Sequence, residues 1–368
     1  MRKRNYSHCQ NLLKLAFLLS GFLIVSSEAL AQRQSGRVYE FINLPATARI
    51  TALGGYAVPT LDNDLGMALF YPSLISPGLD NELSLNFVDY FGDINYGTAA
   101  FSKGFNRIGN LTLGISYINY GTFLEADEMG NTYGEFTAGE YVVSLGWGRA
   151  LTGKISIGSN IKVISSTFER YSSFGLATDI AVGYFDEERL IASSLVFRNI
   201  GRQITTFYND REPLPFDIVF GISKKLLNAP LRFSFVAHNL HNYDLTYDDP
   251  VASGPAFSTF GSGAATSQER MSEISDKLLR HAVFGMEFTP TENFIAGIGY
   301  NYRRRQEMGV DSRLSTVGLS WGIGIKISNF MFQYGRSNYH LAGAPNHFSI
   351  TTNLDRLFAG GTEVPSIR

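Results

Sequence analysis

Cysteine is almost missing from this 368-residue chain: Cys9 is the only one, and it lies before an apolar run near the start. A single thiol excludes a disulfide framework and thiolate metal sites. Its place upstream of the run, rather than at its end, does not suit lipoprotein acylation. Charge is scarce as well, at 17% of residues, against the roughly 25% usual in soluble domains. The 31 basic residues do not outnumber the 33 acidic ones, so the basic footprint needed for nucleic-acid binding is lacking. Helical periodicity is hard to find; the clearest candidate is the short stretch Glu269 to Leu279. No segment reaches the roughly 20 apolar residues of a spanning helix. These absences point to an all-β chain.

The N-terminus has another use. Arg2, Lys3, Arg4 and Lys14 precede the apolar stretch Leu15 to Val25, and Ala29-Leu30-Ala31 closes it. A charged start, a short apolar centre and an A-x-A end predict a secretory signal peptide over residues 1–31, cleaved before Gln32. A retained helix is disfavoured because the run is only 11 residues long. Removing the segment takes away four bases and Glu28. That leaves 27 basic and 32 acidic residues, a net charge of −5.

From Leu83 onward, alternation with a period of two dominates. Leu111, Leu113, Ile115 and Tyr117 alternate with Thr112, Gly114 and Ser116. Tyr141, Val143, Leu145 and Trp147 alternate with Val142, Ser144, Gly146 and Gly148, and Phe216, Ile218, Phe220 and Ile222 with Asp217, Val219, Gly221 and Ser223. The same holds for Ala282, Phe284, Met286 and Phe288, and for Val317, Leu319, Trp321, Ile323, Ile325 and Ile327. Such patterning makes strands with one apolar face and one polar or small face. A soluble sandwich would crowd charge onto its wet face. Here that face is mostly Gly, Ser and Ala, and its few charges share one parity: Lys162, Asp179, Arg198, Asp217, Arg232, Glu287 and Lys326. A membrane barrel with a polar lumen accounts for this better. Aromatic girdle positions are expected at Phe294 and at Tyr300 and Tyr302, on either side of Ala296 and Ile298.

About fourteen antiparallel strands are predicted, beginning near Leu83, Asn95, Leu111, Tyr141, Ile155, Gly175, Leu190, Phe216, Leu231, Ala282, Phe294, Ser315, Phe330 and His347. Brief connections (Leu151-Thr152-Gly153, Asp186-Glu187-Glu188, Pro290-Thr291-Glu292, Ser328-Asn329) alternate with long ones at Gly121–Gly139, Asn199–Pro215 and His241–Arg280. Short turns on one side and long loops on the other mark outer-membrane barrels, and an even strand number puts both termini on the short-turn, periplasmic side. The predicted domains are the signal peptide, a plug-like segment over 32–80 that folds into or beneath the lumen, a transmembrane barrel over 81–354 and a tail over 355–368.

Chemistry-bearing residues are few. The lumen charges are expected to be structural, with Lys162 near Asp179 and Arg198 near Asp217, bracing the wall and holding the N-terminal segment. The histidines near the barrel, His238, His281, His340 and His347, sit in no hydrolase or metalloprotease motif. A strand-end histidine is more often structural, so no catalytic residue, cofactor or metal is predicted. Arg303-Arg304-Arg305 lies at the loop end of a strand. It reads either as a solvated cluster paired with loop acids or as a contact for lipopolysaccharide phosphates or a partner. Asp244, Asp248 and Asp249 lack the regular spacing of a calcium loop. In the loop His241–Arg280, Met271, Ile274 and Leu278 fall at near-helical spacing. They form a candidate docking element; a lid over the barrel mouth is the competing reading.

Several local runs carry a resemblance. They are Leu44-Pro45-Ala46-Thr47-Ala48-Arg49 through Ala52-Leu53-Gly54-Gly55, then Asp62-Asn63-Asp64 and Tyr71-Pro72. Further on come Asn119-Tyr120-Gly121, Gly134-Glu135-Phe136, Asn199-Ile200-Gly201 and Leu214-Pro215-Phe216-Asp217. The series ends with Gly299-Tyr300-Asn301-Tyr302-Arg303-Arg304-Arg305 and Tyr339-His340-Leu341-Ala342-Gly343. In order and spacing, over roughly residues 38–352, they resemble barrels of the long-chain fatty-acid transporter (FadL-like) type, and within it the PorQ-like barrels of the type IX secretion system. Tyr71 departs from the wider family, which more often has Asn there. The resemblance implies a non-catalytic outer-membrane barrel of an attachment complex. Its implied partners are a PorZ-like surface protein, a PorU-like sortase, a PorV-like barrel, and outer-membrane lipid or lipopolysaccharide. A channel for hydrophobic solutes is the alternative from the same family, and an outer-membrane hydrolase is the third hypothesis.

Overall fold

Period-two alternation gives every strand two unlike faces, and a closed ring lets one face meet lipid while the other is hidden from it. A computed structural model describes residues 36–246, 274–309, 316–339 and 343–358. The predicted signal peptide, Met271 and most of the tail lie outside the described residues. The ring belongs to the compact unit that begins at Val38. It opens with β1 (Glu82–Asp89), β2 (Asn95–Phe105), β3 (Gly109–Ala126) and β4 (Thr132–Ala150). It continues through β5 (Ile155–Phe168), β6 (Tyr171–Asp186), β7 (Ile191–Thr205), β8 (Asp217–Lys225) and β9 (Leu231–Ala237). Its last strands are β10 (Ala282–Thr291), β11 (Phe294–Asn301), β12 (Leu319–Ile327), β13 (Phe330–Ser337) and β14 (Asn346–Asn353).

Each strand pairs antiparallel with the next, and β1 closes the barrel on β14, from Glu82↔Asn353 to Asp89↔Asn346. The fold is therefore a closed antiparallel 14-strand barrel, as the alternation predicts. Along β12, Leu319, Trp321, Ile323, Ile325 and Ile327 are exposed on the outside, while Ser320, Gly322 and Gly324 are buried inside. Val317 leaves this row: it is buried in the turn before β12, because the strand starts only at Leu319. Tyr302 leaves the girdle as well, since the Asn301 side chain accepts the Arg304 N–H and caps a helix, Tyr302–Met308, where the strand would have continued.

The connections alternate less regularly than expected. β5 and β6 meet through Glu169 and Arg170 alone on the long-connection side, and β7 runs on to Thr205, into the predicted loop Asn199–Pro215. The predicted loop Gly121–Gly139 is mostly a hairpin. β3 and β4 are 18 and 19 residues long, well past the roughly 9–11 needed to cross a bilayer. They stay paired through Thr122↔Thr137, Phe123↔Phe136 and Leu124↔Glu135. Four glycines made this stretch read as irregular, but cross-strand pairing, including a Phe123–Phe136 stack at 5.2 Å, holds it extended.

Residues 38–80 fill the interior. The helix α1 (Ala48–Ala52) is capped by Thr47, whose side chain accepts the Ile50 N–H at 3.2 Å. The helix α2 (Leu65–Phe70) is capped likewise by Asp64, which accepts from Met67 N at 3.0 Å. Such caps satisfy amide groups that a short helix cannot pair internally. The segment's apolar side chains then meet inward-facing wall residues. Ile50, Leu53, Val58, Met67 and Phe70 pack with Val196, Val219, Val236 and Val283. The lumen is thus partly an apolar core as well as the polar, small-residue space predicted, since the plug needs apolar wall to bury its own hydrophobic side chains.

The backbone of the plug also touches the wall directly. A Cβ on Gly158 would overlap the Pro72 carbonyl, and one on Gly335 would overlap that of Ala48. Inward glycines are sockets for the plug as well as lumen lining. The first residues of this unit lie far from the start of β1. Val38 N donates to Pro213 O at 3.1 Å, in the β7–β8 connection, at the end opposite the entry into β1. Strand parity fixes only where β1 begins and β14 ends. The plug runs through the lumen before it reaches Glu82.

Candidate functional site

Residues 38–80 contain one base, Arg49, and the lumen is arranged around it. Arg49 Nε donates to Glu287 Oε1 at 2.7 Å and Nη2 to Oε2 at 3.1 Å. Its Nη1 reaches Asp64 and its Nη2 reaches Asp62, both at 2.7 Å. Arg232, on the neighbouring strand β9, joins Asp62 at 3.1 Å and Glu287 at 2.8 Å. Glu287 and Arg232 stand opposite each other in the β9–β10 ladder, so the wall presents a ready-made pair to the incoming plug. Two bases and three acids satisfy one another; Arg49, Arg232 and Glu287 are buried, Asp64 is half-buried and Asp62 reaches solvent. Isolated burial of any one would be costly. Arg232 and Glu287 were singled out as structural lumen charges; their plug partners Arg49, Asp62 and Asp64 were not. The legible signal was that lone base between Leu44 and Gly55, with two acids a few residues further on.

A second cluster lies across β5, β6 and β7. Lys162 Nζ sits 2.7 Å from Asp179 and 2.9 Å from Asn199 Oδ1. A register shift opposite Asp179 turns the Asn199 N–H onto its carboxylate at 2.8 Å, with Asn199 at a left-handed φ of 56°. Arg198 faces Asp217 in the β7–β8 ladder. It donates to the plug carbonyl of Ile42 at 3.3 Å and lies over the Phe70 ring at 4.5 Å. Asp217 accepts the Asn239 N–H at 2.6 Å. Lys326 points inward near the short-turn end of β12, opposite Met331 and apart from both clusters.

At the long-connection mouth His238 is buried against Tyr56, with ring centroids 4.2 Å apart. Its Nδ1 faces the Asn239 amide at 2.9 Å. Burial, with Arg303 and His281 adding to it, holds the His238 imidazole well below its usual range. His281 faces two backbone carbonyls, those of His238 and Tyr243. For both rings the recorded partners are amides and carbonyls, which suits a packed structural role. Asp244 is held down to about 2 by hydrogen bonds from Thr246 and Lys277. Asp248 and Asp249 lie outside the described residues.

The three consecutive arginines occupy the short helix α3 (Tyr302–Met308). Arg303 pairs with Glu307 at 2.7 Å, while Arg304 donates to Ser337 Oγ at 2.6 Å and covers the Tyr339 ring at 4.0 Å. Arg305 sits in the helix's last turn. The helix thus ties Arg303 and Arg304 to their own surroundings. Of the candidate docking loop, residues 274–279 are helical, with Ile274 and Leu278 exposed.

No family model matches the chain, and no curated protein matches it. Among solved structures, the chain is similar to the toluene transporter TodX of P. putida, at a TM-score of 0.47 and 9% identity over 84% of this chain and 98% of that one. It is also similar to the CymD monoaromatic hydrocarbon channel, at a TM-score of 0.45 and 10% identity over 84% of this chain and 96% of that one. A Pseudomonas aeruginosa FadL homologue gives 0.45 and 9% identity, over 84% of this chain and 98% of that one.

Proposed function

We propose that this chain is a non-catalytic outer-membrane anchor: a PorQ-like barrel of the type IX secretion system, holding a PorZ-like surface protein beside the sortase-like protease that attaches cargo. The identity of the complex rests on the residue resemblance. The observation that carries the anchoring role is the filled lumen. Apolar clusters, direct backbone contact and the Arg49 network bind residues 38–80 to the wall. A barrel closed in this way leaves its rim as the working surface. The test is electrical and chemical: purified full-length protein in planar bilayers is expected to show no stable single-channel conductance, and liposomes containing it no uptake of a hydrophobic dye. Steady conductance or saturable uptake by the unaltered protein would overturn the anchor reading.

One observation favours a second reading, a channel for hydrophobic solutes, which is the kind of function TodX and CymD are named for. Near the mouth, Val38, Phe41 and Ile42 pack in an apolar chamber walled by Val88, Tyr96, Ile118, Val142 and Ile164. If these plug residues moved aside, the space left would suit an apolar molecule. The dye experiment separates the two readings, since a channel would take up dye without any substitution.

A further inference from the structure

The β3–β4 hairpin is the part of the barrel that most clearly serves neither the bilayer nor the plug. β2 pairs with β3 only as far as Asn95↔Asn119, and β5 pairs with β4 only as far as Ala138↔Phe168. Above those pairs, residues 120–137 form a two-stranded ribbon, and among the described residues no third strand joins either edge. A bare edge of backbone donors and acceptors is a template for another strand, and natural proteins usually blunt it with lysine, proline or a covering element. This ribbon has no lysine, arginine or proline. It carries four acids instead, Glu125, Asp127, Glu128 and Glu135. Its apolar side chains stand in the open: Met129 is 89% exposed, Tyr133 70% and Leu124 66%.

The tip is also stiff. Asp127 accepts hydrogen bonds from Met129 N at 2.9 Å, Asn131 N at 2.8 Å and Tyr133 Oη at 2.6 Å, and Gly130 supplies the left-handed φ of 84°. The Tyr133 bond, followed by those from Asn131, holds the Asp127 carboxyl down to about 2. Exposed apolar groups on an ordered support lose little entropy on binding. Beside the ribbon lies an open groove of about 530 Å³ lined by Thr122, Glu135, Phe136, Thr137, Glu169 and Arg170. The one cation there, Arg170, lies 3.5 Å from Glu169 and over the Tyr171 ring.

We infer that the 120–137 ribbon is the docking element for the surface partner, and that it takes an extended edge segment of a soluble protein carrying basic side chains flanked by apolar ones. Charge decides the occupant: four acids without a base repel an acidic strand and favour a basic one over a neutral one. Main-chain bonds along the free edge would supply affinity, and Leu124, Met129 and Tyr133 would supply the apolar contacts. This inference rests on the anchor reading and moves its docking element away from the loop His241–Arg280.

The experiment uses the full chain in its own cells. Residues 121–137 are replaced by Asn-Gly, so that Tyr120 and Ala138 flank a two-residue hairpin turn. A second variant, Glu125→Lys with Glu135→Lys, keeps the ribbon's length and reverses two exposed charges. A third strain lacks the barrel altogether. Membrane insertion is followed by heat-modifiable migration, and the surface protein proposed above is measured on cells and in the medium. A photo-crosslinking residue at Tyr133 reports contact. The expected result is a folded truncated barrel with the partner released, at least a tenfold lower crosslink yield in the charge variant, and a crosslink that maps to a basic extended segment. Retention in both variants but release from the barrel-less strain would overturn the docking inference and leave the anchor reading standing. Retention even without the barrel would overturn both. If the truncated barrel fails to insert, the charge variant decides, and unchanged retention and crosslinking there overturn the inference.

Discussion

The plug and the ribbon are both additions to the same fourteen strands, and they obey opposite rules. Residues 38–80 are held from every side: side chains fill the lumen, carbonyls lie against wall glycines, and Arg49 is shared among three carboxylates. Residues 120–137 are held by one ladder and by the Asp127 turn, with both edges open. Four acids without a base are tolerable on the ribbon because water solvates them. In the lumen each acid needs a named partner. The difference teaches that charge in this molecule binds tightly only where solvent is excluded, and is available for recognition only where it is not.

That contrast is broken most severely at Glu287. Glu287→Ala leaves Arg49 and Arg232 buried together with only the solvent-reaching Asp62 shared between them, and removing one partner of a buried ion network costs about 3–5 kcal/mol. The expected outcome is a lower midpoint in the heat-modifiability assay, with protease access to residues 38–80. A midpoint within error of the unaltered protein would show that the network does not hold the plug. Next in size, Ile323→Lys places a charge on the lipid face, at about 2–4 kcal/mol near the bilayer centre, and should reduce insertion. Ser320→Lys tests the other face of the same strand. Ser320 is buried, and its hydroxyl donates to Ala52 O at 3.1 Å. It should therefore leave insertion less affected than Ile323→Lys and expose the plug to protease. Similar insertion defects without plug exposure would overturn that division of the strand.

Smaller effects sharpen the comparison. Thr47→Ala removes the α1 cap and is expected to cost about 1 kcal/mol, read as a modest drop in the same midpoint. At the ribbon, acid should loosen the tip alone. The Asp127 carboxyl is held down to about 2, below its ordinary value near 4. The ordering it provides is therefore complete above that ordinary value and lost as pH falls through it towards 2. A spin label at Met129→Cys should gain mobility over this window while the barrel stays folded. Unchanged mobility down to pH 2 would mean the turn is ordered without Asp127.

The sequence by itself determined the ring. Each strand sees lipid on one face and interior on the other along its length. Residues such as Trp321, Ile323 and Ile325 therefore keep a period of two, and the strand count and nearly all strand starts follow from it. The inward parity of Lys162, Asp179, Arg198, Asp217, Arg232, Glu287 and Lys326 was legible for the same reason. Only the tertiary structure decided what those charges meet. Arg49 and Glu287 are 238 residues apart in the chain, and no local period connects them. Nor does any local pattern say that Val38 sits beside the β7–β8 connection, or that inward glycines at 158 and 335 are seats for the plug's backbone. The ribbon was missed for a different reason. Beyond the bilayer both faces of a strand see water, so alternation fades, and glycines at 121, 130, 134 and 139 read as a loop although cross-strand pairing keeps the chain extended. Patterning records a constant solvent boundary; contacts between distant segments, and strands that leave that boundary, are set by packing and pairing.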